Sequence, residues 1–140
     1  MTAPMPVRAV TTWSCALPDE FDRLVELLKP HGDRWPDPLN RLVRKAVQFR
    51  HGEDYLPPLL TRENVTITER LMPFAALCDA AKGYEQRDRA PRRWGVPFVV
   101  LEWGGQWYLI DGHRRLDALR RAGHEGPQRA LIVSVWRRRG

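Results

Sequence analysis

The sequence predicts an α+β fold: a small mixed sheet with flanking helices and a helical addition at the N-terminus. Three observations carry that expectation. Phe98-Val99-Val100-Leu101-Glu102-Trp103 and Gln106-Trp107-Tyr108-Leu109-Ile110 are β-rich runs separated by Gly104-Gly105, and two glycines between strands signal a hairpin because primed turns need positive φ. The second run ends in Asp111-Gly112, a helix opens at once with His113-Arg114-Arg115, and a third apolar run follows at Ala130–Val135. The result is a hairpin–helix–strand unit. The first 60 residues, in contrast, show helical rather than alternating periodicity.

Taken in order, residues 1–16 offer only a short strand at Val7–Thr12. Leu17-Pro18-Asp19 opens a helix in which Phe21, Leu24, Val25 and Leu28 fall at i, i+3, i+4 and i+7, and it stops near Lys29-Pro30-His31-Gly32. A second helix follows Pro38, with Leu39, Leu42, Val43 and Ala46 inward and a basic edge of Arg41, Arg44, Lys45 and Arg50. That edge is either a nucleic-acid contact or a solvated face. His51-Gly52-Glu53-Asp54 and Pro57-Pro58 mark a connector. Val65–Leu71 alternates apolar and polar residues as a half-buried strand does. Pro73 stands where a first helical residue belongs, and Phe74, Leu77, Cys78 and Ala81 form one helical face. Residues 82–95 read as a charged loop. In the final helix Leu116 and Leu119, with Ala118 and Ala122, make a narrow apolar stripe that Gly123 ends in a left-handed conformation. The chain is expected to be one domain over 1–140, with 1–60 a helical addition packed on a 65–135 core.

The chemistry is concentrated at Asp111–Arg115. Arg114 and Arg115 sit in the first turn of a helix, at the positive end of the macrodipole, where cations are poorly placed for stability. They are well placed when an anion lies between them, because a helix N-terminus with Arg forks binds phosphate. The alternative for both is pairing with Asp117 and surface solvation. Gly112 either permits close backbone approach to a ligand or is a plain turn glycine. His113 is a general base, a phosphate donor or a surface residue. Asp111 can orient an Arg, serve as a base, contact a metal carried by phosphates, or simply cap the helix.

The stretch Tyr108-Leu109-Ile110-Asp111-Gly112-His113-Arg114-Arg115-Leu116-Asp117-Ala118-Leu119-Arg120-Arg121-Ala122-Gly123, preceded by the strand from Phe98 and the Gly-Gly turn, resembles the ParB/sulfiredoxin superfamily. Gly112-His113-Arg114-Arg115 matches the Gly-x-Arg-Arg-like box of the ParB branch, and Asp111-Gly112-His113 is similar to the shorter ParB-like nuclease-domain proteins. The resemblance spans about residues 65–135 and is specific over 97–123. It implies a ParB/sulfiredoxin-like fold binding nucleotide or nucleic-acid phosphate at Asp111–Arg115. The second Arg of the box is shared by both branches, so the resemblance makes Arg115 the stronger ligand and Arg114 the weaker. The catalytic Cys of the sulfiredoxin branch is replaced by His113, so sulfiredoxin activity is not implied. With no helix-turn-helix or dimerisation tail evident, centromere loading is not implied either. Two classes remain: a ParB-like DNA-associated protein, or a nucleotide-dependent enzyme of the same fold (nuclease, ATPase or small-molecule kinase) with Asp111 and His113 as catalytic candidates. The cofactor is either a nucleoside triphosphate, ATP or CTP, with Mg2+, or none; a third option is an interaction module that has lost its ligand.

Charge points the same way. The 140-residue chain carries a net +6, and residues 111–140 hold eight Arg against Asp111, Asp117 and Glu125, a net +5. The other 110 residues are nearly balanced, with fifteen basic and fourteen acidic side chains. Arg120, Arg121, Arg137, Arg138 and Arg139 are therefore candidate nucleic-acid contacts, the last three alternatively a solvated tail. Trp94, Trp103, Trp107 and Trp136 either stack bases or fill the core. His31, His51, His113 and His124 have no metal-ligand spacing, no P-loop, GxGxxG or GxSxG is present, and no resident metal is expected. Cys15 and Cys78 stand in no redox or metal pattern and suit a reducing cytoplasm. No stretch approaches the roughly 18 apolar residues of a membrane span.

Overall fold

Pro18 starts the first helix and the apolar spacing sustains it. In the computed structural model, which describes residues 18–29, 37–83 and 94–135, α1 spans Pro18–Leu28 and buries Leu24 and Leu28 completely. Helix α2, Pro38–His51, has Pro38 in its first turn, and the Asp37 side chain accepts from Asn40 N, a Pro-plus-Asp start. Its buried stripe is Leu39, Val43 and Val47, with Leu42 and Ala46 half-buried; Val47 extends the expected stripe by one residue. The Asn40 amide then ties down the connector, accepting from Leu60 N at 2.7 Å and donating to Leu60 O at 2.9 Å.

Strand β1, Val65–Met72, leads into α3, Phe74–Ala80. Pro73 stands at the cap position before α3, one residue earlier than its expected place inside the helix. The hairpin follows as β2, Phe98–Trp103, and β3, Gln106–Asp111. Gly104 and Gly105 have φ of 62° and 75°, the paired positive values a type I′ turn demands. Helix α4, His113–Arg121, ends at Gly123 with φ of 74°. Strand β4, Gln128–Val135, starts two residues earlier than the apolar run alone suggested.

The α+β class with a small mixed sheet is as expected. The strands lie in the order β1-β4-β2-β3, with β1/β4 antiparallel, β4/β2 parallel and β2/β3 antiparallel. One face presents Val65, Ile67, Val99, Leu101, Tyr108, Ile110, Leu131 and Val133 to α1 and α2. The other presents Met72, Phe98, Val100, Leu109, Ala130 and Ile132 to α3 and to Leu116 of α4. Burial on both faces explains why β2 and β4 read as continuous apolar runs rather than alternating ones. The N-terminal helices thus share a core with the sheet. Val7–Thr12, Cys15, His31, Trp136, Arg137–Arg139 and residues 84–93 of the charged loop lie outside the described residues.

Candidate functional site

The turn from β3 into α4 is shaped by a β-bulge. Val99 pairs with Asp111 while Val100 pairs with Leu109, so Ile110 is an extra residue and the end of β3 is re-aimed. Asp111 is accordingly the last strand residue, and the cap position falls to Gly112, with φ 119° and no side-chain cap bond. Glycine is required there twice over. The φ is one that other residues rarely adopt, and an added Cβ would lie 2.3 Å from Phe98 Cδ2, a ring that is itself buried.

Arg115 turns back across this glycine, as helical side chains lean toward their N-terminus. One Nη donates to Val96 O, the other lies 3.4 Å from Asp111 Oδ2, and the guanidinium stands 4.7 Å above the Phe98 ring. Asp111 and Arg115 are only 5% and 6% exposed, the one buried charged pair among the described residues. The two arginines stand in different surroundings. Arg115 is committed to the frame of the turn, while Arg114 is half-buried and has no hydrogen bond, ion pair or ring contact. His113, also half-buried, opens the helix beside it. The first intrahelical bond runs from Leu116 N to Gly112 O at 2.8 Å, leaving the amides of His113, Arg114 and Arg115 in the N-terminal turn where the dipole favours an anion.

Farther along α4, Arg121 Nε pairs with Asp117 Oδ2 at 3.2 Å, and Arg120 is exposed and unpartnered. Seven residues apart, Arg114 and Arg121 share a helix face. Of the basic edge on α2, Arg50 is occupied: it donates to the carbonyls of Asp79, Ala80 and Lys82 at the end of α3. Trp103 packs near Tyr55 and Tyr108, and Arg70 lies over Trp107; Trp94 is exposed. Among the described residues no three His, Cys, Asp or Glu side chains converge to hold a metal. No helix among them is long and apolar enough to cross a membrane.

A second cluster, which sequence reasoning missed, lies on the opposite sheet face. His51 Nε2 is 2.8 Å from the Tyr108 hydroxyl, which donates to Gln106 Oε1 at 3.4 Å, and the Arg50 guanidinium sits 4.3 Å over the Tyr108 ring. Burial holds the Tyr108 phenol above its ordinary value, with Arg50 pulling it down. With its carbonyl bonds to α3, Arg50 reaches around the β3 edge and links the helices of the two faces. No spacing in the sequence announces it, because the partners lie about thirty and sixty positions away.

Comparison with protein-family models, curated proteins and solved structures found no match.

Proposed function

We propose that the chain binds a phosphate group of a nucleotide or nucleic acid at Asp111–Arg115 and acts as a ParB-like DNA-associated protein. One observation carries the reading: an unpartnered Arg114 in the first turn of a helix whose cap residue, Gly112, offers no side chain. A cation there works against the macrodipole unless an anion joins it. In this reading Arg115 and Asp111 hold the turn rigid, and Arg114 and the first-turn amides receive the phosphate. Arg120 and Arg121 extend the positive surface along a backbone. Arg114→Ala is expected to abolish the thermal stabilisation given by ATP, CTP or duplex DNA while leaving the melting temperature without ligand nearly unchanged. For a ligand at about 100 times its dissociation constant that stabilisation is about 2.7 kcal/mol. Equal ligand-induced shifts in the two proteins sink the assignment.

The nucleotide-dependent enzyme is the second reading, with Asp111 at the end of β3 and the half-buried His113 at the start of α4 as its candidates. Asp111→Asn and His113→Ala would then lower turnover more than binding. Wild-type turnover in both variants removes these two residues from any chemistry.

A further inference from the structure

We infer that Trp94 is a stacking platform for an unpaired nucleobase, whose phosphate lies at the α4 turn; the inference rests on the phosphate reading above. Trp94 is 59% exposed, the most exposed aromatic side chain among the described residues, and no ring contact, cation or hydrogen bond engages it. An exposed indole offers a flat face to a ligand, and its position decides what it can serve. Two residues on, the Val96 carbonyl accepts from Arg115. Two residues farther, the Phe98 ring lies against Gly112 and beneath Arg115. The backbone between Trp94 and Val96 spans at most about 7 Å, so the indole is tethered to the rim of the turn that holds Arg114. Gly95, with φ 82° and open space around it, turns the chain between them. A phosphate-receiving turn with an exposed indole tethered two residues from its Val96 carbonyl suits a ligand with an anionic end and a flat aromatic end. Bases stack on Trp irrespective of identity. A base within a duplex is already stacked and paired, so the platform serves a mononucleotide or a single strand.

The test uses the full chain and four probes: ATP, CTP, a short single-stranded oligothymidylate and inorganic tripolyphosphate, with duplex DNA as a further control. Trp94→Ala is expected to weaken binding of a base-bearing probe by about tenfold, with tripolyphosphate and duplex affinity unchanged, and Trp94→Phe to recover most of the loss. Loss confined to the oligonucleotide identifies a single strand as the ligand, and loss confined to ATP or CTP identifies a mononucleotide; either supports stacking. Unchanged affinity for every base-bearing probe, or an equal loss for tripolyphosphate, overturns it. Absence of all binding by the wild-type chain, tripolyphosphate and duplex included, overturns the phosphate reading itself.

Discussion

At the scale of single residues, Arg115 is buried in the turn and Arg114 is only half-buried, and substitution separates them. Arg115→Ala leaves the buried Asp111 carboxylate without its guanidinium and the Val96 carbonyl without its donor. Losing a hydrogen bond to a charged group costs about 1.5–3 kcal/mol, so the variant should unfold at lower denaturant than wild type in a urea titration. Arg115→Lys keeps the charge but not the fork and should recover only part of the loss. A urea midpoint unchanged in Arg115→Ala would show that the pair does not hold the turn. That an Arg pair opens a helix after Asp-Gly was legible in the residues themselves. Which of the two turns inward was not, because it depends on the bulge at Ile110 and on the Phe98 ring beneath Gly112. Both are products of strand pairing rather than of local sequence.

At the scale of elements, the hairpin and α4 were legible for local reasons: paired glycines, an apolar stripe and a terminal glycine each act within a few residues. The ties between elements were not. Glu69 of β1 illustrates this, gripping Arg23 of α1 at 3.0 Å and Arg129 of β4 at 2.8 Å. Its carboxyl is held below the ordinary 4.5, chiefly by the Arg129 hydrogen bond, with partial burial opposing. A carboxyl depressed in the folded state stabilises the fold above its unfolded value, and the contribution fades as pH falls through the folded value. Glu69→Gln should therefore cost no more than about 1 kcal/mol at neutral pH, since the pair is solvent-screened. The gap from wild type should close below pH 4.5. Urea titrations of both proteins at neutral and acidic pH check this, and a gap that widens in acid would refute the clamp. Arg50 resembles Glu69 in joining elements distant in sequence, and its basic neighbours on α2 gave no sign that it alone turns inward.

At the scale of the whole molecule, the excess charge of the C-terminal 30 residues makes a prediction about partners. If Arg120, Arg121 and Arg137–Arg139 follow a DNA backbone, log affinity should fall linearly with log salt, by nearly one unit of slope per phosphate neutralised. A chain lacking residues 137–139 should show a shallower slope and unaltered mononucleotide binding. Fluorescence anisotropy at several salt concentrations reads both, and no DNA binding at low salt rejects DNA as the partner. The sheet order has a different consequence, for assembly. β4 lies between β1 and β2 although it follows both in the chain. Until it inserts, β1 has no neighbour to bond, and the β2–β3 hairpin, which closes locally and fast, floats apart from it. β4 is the seam that joins the two halves. Because α4 is the link from the hairpin to that seam, the turn at Gly112 lies on the one connection between the two halves on that side.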